Sequence, residues 1–147
     1  MKIFESKFLV NTNLSQISAF HASTNALRKL TPPPIWVQFH HLDPLSEGAV
    51  AEFTMWFVFI PFRWKAVHSE VNPTGFIDQQ ASGPLKSWKH THQFRRVSDH
   101  QTMVIDRIEY EHFSGLKGII SRLFFNQLGL RFLFFYRKWI TRFSLRT

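Results

Sequence analysis

The sequence predicts an α+β fold in which an antiparallel sheet precedes a long C-terminal helix. Between residues 35 and 110, apolar and polar residues alternate in short runs separated by turn signals, which is typical of strands. From Leu116 to Arg142, apolar residues recur instead at helical spacing. Because short turns rather than helices separate the successive strands, we expect them to pair antiparallel.

The elements before residue 35 are predicted to be one strand and two short helices. Alternation across Lys2–Val10 predicts the strand. Apolar residues at helical spacing in 14–20 and in 26–30 predict the helices. The three prolines at 32–34 end the second helix, because proline cannot continue the hydrogen-bond ladder.

The middle of the chain is predicted to form the rest of the sheet. Residues 49–60 are apolar on both faces, so we expect cover on both sides or a partner on the outer one. Pro61 is expected to end that strand. The six predicted strands are Ile35–His41, Ala49–Ile60, Arg63–Asn72, Gly75–Ala81, Lys89–Ser98 and Gln101–Tyr110.

The terminal helix is predicted to cover the sheet with one broad apolar stripe. Gly129 is expected to mark a bend, and the arginines interrupt any apolar run long enough to cross a membrane. The stripe consists of Phe124, Phe125, Leu128, Phe132, Phe135, Tyr136, Trp139 and Phe143.

Polar and aromatic side chains share faces on three predicted neighbouring strands. Since alternate residues of a strand point the same way, each strand contributes a set. Imidazoles, carboxylates, a phenol and rings on common faces suit the lining of a pocket better than a core. The sets are Phe76, Asp78 and Gln80; His90, His92 and Phe94; and Thr102, Asp106 and Tyr110.

The same region carries a family resemblance. The stretches FIDQQASGPLKSWKHTHQF (76–94) and TMVIDRIEY (102–110) resemble the SRPBCC, or START-like, superfamily, in particular its bacterial ligand-binding branch near the polyketide cyclases/dehydrases. The resemblance implies a helix-grip fold. In that fold a curved antiparallel sheet wraps around a long C-terminal helix, two short helices follow the first strand, and the interior holds a hydrophobic cavity. It implies no single substrate.

The function predicted from these features is binding of a hydrophobic small molecule, such as a lipid, isoprenoid or polyketide-like compound, by a carrier or sensor. Apolar area would hold the ligand and a few polar groups would orient it. The predicted binding residues are Phe53, Met55, Phe57, Phe76, Asp78, Gln80, Trp88, His90, His92, Phe94, Asp106, Tyr110, Leu128, Phe132 and Phe135.

Two chemical alternatives use the same residues. A cyclase or dehydratase would employ His90, His92, Asp106 and Tyr110 for proton transfer. The H-x-H pair with Asp78 or Asp106 is also a set that zinc or iron accepts. Alternation produces H-x-H in ordinary strands, however, so we predict a hydrogen-bonded network and no metal.

The positive charge is concentrated at the C-terminal end. The net charge is +8, and residues 112–147 contain seven Lys or Arg and no acid. Without a recognition motif, this charge does not predict nucleic-acid binding. Contact with anionic lipid headgroups or with a second subunit in a homodimer is the third alternative. The residues that would make such contacts are Leu130, Arg131, Leu133, Phe134, Arg137, Lys138, Ile140 and Arg142.

Length and composition set further bounds. A chain of 147 residues predicts one domain over 1–147. The absence of cysteine excludes disulfides, iron–sulfur clusters and zinc–thiolate sites. No signal-like N-terminus is present, so we expect a cytoplasmic protein. No phosphate-binding glycine motif is present, and we predict no cofactor.

Overall fold

The computed structural model describes residues 1–145, which build one seven-stranded antiparallel sheet covered by helices. The strand order is β1-β7-β6-β5-β4-β3-β2. The strands are β1 (Lys2–Val10), β2 (Ile35–Leu42), β3 (Val50–Phe57), β4 (Ile60–Asn72), β5 (Gly75–Ser82), β6 (Ser87–Ser98) and β7 (Gln101–Glu111), and the helices are α1 (Leu14–Ala22), α2 (Ala26–Lys29), α3 (Ile119–Phe124) and α4 (Gln127–Ser144). The predicted α+β helix-grip fold is confirmed.

The curved sheet buries one face, called here the inner face, against the helices. Along β7 every second residue from Thr102 to Tyr110 is buried, as alternation requires. Two clusters of buried side chains fill the inner side. One includes Phe4, Trp64 and Phe134 and lies under α4, and the other surrounds Ile17 of α1. The space between these two clusters is where the candidate site lies.

The hairpin between β3 and β4 differs from the prediction. The turn lies at 58–59, where Val58 has a φ of 60°, and Pro61 is inside β4 opposite Trp56. The prediction that Pro61 ends a strand is therefore wrong. Pairing with β5 begins only at Lys65, so Pro61 has a neighbouring strand on one side alone and can be tolerated.

The C-terminal segment is not one continuous helix. A short 3-10 helix at Gly115–Gly118 and α3 are separated from α4 by a break at 125–126. The Asn126 side chain caps α4 by accepting a hydrogen bond from the N–H of Gly129 at 2.9 Å. Phe125 is buried in the break among rings that include Trp64 and Trp88. The predicted bend at Gly129 thus occurs three residues earlier.

The face of α4 that covers the sheet is opposite to the predicted one. Leu130, Phe134 and Thr141 are buried, and the ring of Phe134 lies 5.2 Å from that of Phe4. Both sides of α4 are apolar, and the helical period does not show which side meets the sheet. The residues of the predicted stripe that are exposed instead are Leu128, Phe132, Phe135, Trp139 and Phe143.

Substitutions at two consecutive phenylalanines test this orientation. Phe134→Ala should lower the free energy of unfolding by about 3 kcal/mol, because it opens a cavity in the core. Phe135→Ala should change it by less than about 0.5 kcal/mol, because the ring is exposed. Urea denaturation measures both variants, and an equal loss in the two would contradict the described face.

Candidate functional site

A cavity of about 390 Å³ lies between the inner face of the sheet and the helices. This volume falls within the range of small-molecule sites. Most of the wall is apolar and much of it is aromatic, which suits a ligand with a hydrophobic body. The aromatic side chains of the wall are Phe39, Phe53, Phe57, Trp64, Phe76, Trp88, Phe124, Phe125 and Phe132.

A cluster of polar groups in the wall comes from two neighbouring strands. Asp78 of β5 is paired with His90 of β6, and Phe76 is paired with His92. Gly75 begins β5 with a φ of 149°, and a Cβ there would lie 2.0 Å from the carbonyl oxygen of His92. Only glycine allows this approach. Gly75 therefore lets the start of β5 pack closely against β6, next to the paired residues Asp78 and His90.

A buried carboxylate forms a hydrogen bond with His90 and fixes its tautomer. Asp106, the neighbour of these residues on β7, lies 2.8 Å from the Nε2 atom of His90. Burial alone would raise the pKa of Asp106, but the two histidines hold it below its usual range, so the carboxylate is charged. A charged carboxylate only accepts hydrogen bonds, so Nε2 must carry a proton. Burial lowers the pKa of His90, which leaves a neutral ring with an unprotonated Nδ1.

His92 lies between aromatic rings with one nitrogen unsatisfied. Its ring centre is 3.7 Å from that of His90 and 4.2 Å from that of Phe76. The Nδ1 atom is 3.2 Å from Asp106 Oδ1 without forming a hydrogen bond, and it has no other hydrogen-bond partner. Burial lowers the pKa of His92 to about 4, so this ring is neutral at neutral pH.

Arg137 and His21 are among the cavity residues that the sequence did not identify. Arg137 of α4 lines the cavity and interacts electrostatically with Asp78 and Asp106. Its charge predicts a lipid-facing or subunit-facing surface, but the structure places it in the cavity wall. Its position three residues after buried Phe134 was the available signal. His21, at the end of α1, also lines the cavity, and burial lowers its pKa to about 4.

Three polar atoms, each on a residue that lines the cavity, are buried without a hydrogen-bond partner. They are Asp78 Oδ1, His92 Nδ1 and Arg137 Nε; within residues 1–145, one further side-chain atom of this kind is found, Ser87 Oγ. Buried polar groups without partners are uncommon because each is costly. Three of the four therefore belong to residues of one cavity wall.

The same cluster has dimensions that a metal ion accepts. Ligand atoms of Asp78, His90 and His92 lie within 4.8 Å of one another. Two imidazoles and a carboxylate would suit zinc or iron. The guanidinium of Arg137 interacts with this cluster and opposes a second cation. The absence of a metal therefore stays a prediction.

The cavity includes nine of the fifteen predicted binding residues. They are Phe53, Met55, Phe57, Phe76, Asp78, Trp88, His90, His92 and Phe132.

Four other predicted binding residues lie outside the cavity wall. Asp106 holds the histidines. Gln80 lies beside the β5–β6 loop, where its side chain donates to the carbonyl oxygen of Leu85 at 2.8 Å. Tyr110 is fully buried and its hydroxyl meets the side chain of Gln127. Phe94 packs against the rings of His21 and Phe76. None of these four lines the cavity.

The last two predicted binding residues are misplaced. Leu128 and Phe135 are exposed on the outer side of α4 and do not line the cavity. Their prediction fails for the reason given above, since the opposite side of α4 meets the sheet.

Comparison with known proteins shows similarity of fold. No protein-family model matches the chain, and no curated protein matches its sequence. The Zhui aromatase/cyclase from Streptomyces sp. R1128 has a TM-score of 0.76 and 10% identity, covering 97% of this chain and 92% of that one. The major latex-like protein 151 from Panax ginseng has a TM-score of 0.71 and 9% identity, covering 99% of this chain and 98% of that one.

A third solved structure is longer than this chain. The di-domain ARO/CYC BexL from the BE-7585A biosynthetic pathway has a TM-score of 0.70 and 16% identity, and the match covers all of this chain and 48% of that one. At such identities the similarity concerns the fold alone. It confirms the helix-grip fold that the resemblance implied.

Proposed function

We propose that the protein binds a hydrophobic small molecule that carries a neutral hydroxyl or hydroxy-carbonyl group at one end. The observation that supports this most directly is the set of three unsatisfied atoms, Asp78 Oδ1, His92 Nδ1 and Arg137 Nε, on residues that line a mostly apolar cavity. A hydroxyl group both donates and accepts, so it can donate to Asp78 and accept from Arg137.

The charges around these atoms favour a neutral polar group. Asp78 and Asp106 bring two carboxylates to this end of the cavity, and Arg137 brings one guanidinium. The neighbouring imidazoles of His90 and His92 are neutral because burial lowers their pKa. A ligand carboxylate would add a third negative charge in a poorly solvated place, which costs free energy.

The aromatic part of the cavity wall suits a planar or polycyclic body. Phe53 and Trp64 are stacked, with ring centres 6.1 Å apart and an angle of 9° between the planes. Trp88 meets Trp64 edge to face at 5.5 Å. Aromatic walls of this kind stabilise flat ligands through burial and ring contacts. Carrier or sensor activity requires no more than this binding.

Matched bicyclic probes test the proposal. Fluorescence titration should show 2-naphthol binding about tenfold more tightly than 2-methylnaphthalene, because a buried hydrogen bond to a charged group contributes about 1.5–3 kcal/mol. Naphthalene-2-carboxylate should bind more weakly than 2-naphthol.

Met55→Trp should weaken the binding of all three probes, because Met55 lines the cavity and the larger side chain would occupy part of it.

The control concerns the polar end. Asp78→Ala should remove the preference for 2-naphthol, whereas Asp99→Ala, at the exposed turn between β6 and β7, should leave it unchanged. Equal affinity of the wild-type protein for the hydroxylated and methylated probes would contradict the proposal, as would preferred binding of the carboxylate.

Proton transfer is a second candidate function, favoured by the His90–Asp106 pair. Asp106 fixes the tautomer in which Nδ1 of His90 is unprotonated, and a neutral imidazole in an apolar cavity is a suitable general base. An enzyme of the cyclase or dehydratase type would use this base to remove a proton next to a carbonyl group.

Exchange of the α-protons of 2-tetralone in D₂O, followed by NMR, tests this second function. The wild-type protein should accelerate the exchange, and His90→Gln should lower the acceleration by about 100-fold or more. Retained 2-naphthol binding by His90→Gln would show that its cavity is intact. An acceleration that survives the substitution would rule out His90 as the base.

A further inference from the structure

The outer side of the C-terminal helices presents an apolar surface that no part of the described chain covers. We call this surface the outer face and define it by Ile119, Leu123, Leu128, Phe132, Phe135 and Trp139, each of which is 53–76% exposed. The four residues from α4 follow the spacing i, i+4, i+7 and i+11, so they form one stripe along the helix. Such a continuous apolar surface marks an interaction site.

Cations follow one edge of this stripe. Arg131, Lys138 and Arg142 lie about a fifth of a turn from it at 100° per residue. Within residues 1–145 none of the three forms an ion pair with an acidic side chain, although Arg142 donates to the carbonyl oxygen of Leu9 at 2.9 Å. No acidic residue occurs after Glu111.

The cations beside the stripe favour a bilayer over a second copy of the chain as the partner of the outer face. In a twofold symmetric dimer through the outer face, the same surface meets itself, so the cations of the two copies would approach one another without acids between them. A bilayer with anionic headgroups supplies both an apolar layer and the opposite charge. Within the described residues no helix is long and apolar enough to span a membrane, so contact through α3 and α4 would lie at the membrane surface.

The outer face also adjoins the entrance of the cavity. Leu123 is 67% exposed and Phe132 is 59% exposed, yet both line the cavity as well. The apolar wall of the cavity therefore continues onto the outer face without a polar boundary between these two side chains. A hydrophobic molecule could pass between a bilayer and the cavity with little contact with water.

We propose that the outer face docks the protein on the surface of an anionic phospholipid bilayer, with the cavity entrance against the lipid. Phe135 and Trp139 insert into the boundary between headgroups and acyl chains, and Arg131 and Lys138 contact the phosphates. This docking does not depend on the polar end of the cavity, so it can be tested without any ligand.

Vesicle flotation tests the docking. The protein should float with phosphatidylcholine vesicles that contain phosphatidylglycerol and should float at least about tenfold less with phosphatidylcholine alone. Phe135→Ser together with Trp139→Ser should reduce binding by about tenfold or more, because two rings lose their burial in the lipid. Val97→Ser, at an exposed apolar residue of β6, is the matched control and should bind as the wild type does.

A second measurement tests whether the outer face inserts into the bilayer. Brominated lipids should quench the fluorescence of Trp139, and Trp139→Phe should abolish most of that quenching. Failure of the wild-type protein to float with either vesicle would overturn the proposal, as would a dimer in solution that the double substitution dissociates. Naphthol binding by the double variant stays intact if only the docking surface is affected.

Discussion

The interaction on which the site depends is the hydrogen bond between the buried carboxylate of Asp106 and the imidazole of His90. A charged group inside the protein must be satisfied, and here a neighbouring strand supplies the donor. This hydrogen bond joins the side chains of β6 and β7 and fixes the tautomer of His90. Asp78 Oδ1 and His92 Nδ1, which belong to the same cluster, have no hydrogen-bond partner.

Arg137 completes this arrangement from the helix. Because α4 turns the side that carries Phe134 towards the sheet, Arg137 meets the carboxylates instead of the solvent. The same rotation exposes the stripe that includes Phe135 and Trp139. The orientation of α4 therefore places Arg137 at the polar end of the cavity and leaves the apolar outer face exposed. The two proposed activities, ligand binding and contact with a bilayer, share this structural origin.

Local periodicity predicted the strands and the side-chain sets well. Alternation placed His90 and His92 on one face, and the structure confirms that β5, β6 and β7 are neighbours with these residues inside. Periodicity failed where long-range packing decides. The break before α4 depends on the fit of Phe125 among rings from distant strands and on the cap at Asn126.

The wrong prediction of which side of α4 is buried has the widest consequences, because it also misplaces the predicted binding residues Leu128 and Phe135. A helix with two apolar sides has the same period on each, so the sequence alone does not say which side is covered. Arg137 was missed because charge is normally read as exposure, although its spacing from Phe134 and Leu130 belongs to the buried side.

NMR observation of the Arg137 Nε–H and His92 Nδ1 resonances during titration with 2-naphthol tests the central claim most directly. The account predicts that both resonances shift as the probe binds, with the midpoint that fluorescence gives, while the resonances of exposed His100 stay in place. Binding that shifts only signals of the apolar wall, or only those of the outer face, would contradict the claim that these polar atoms orient the ligand.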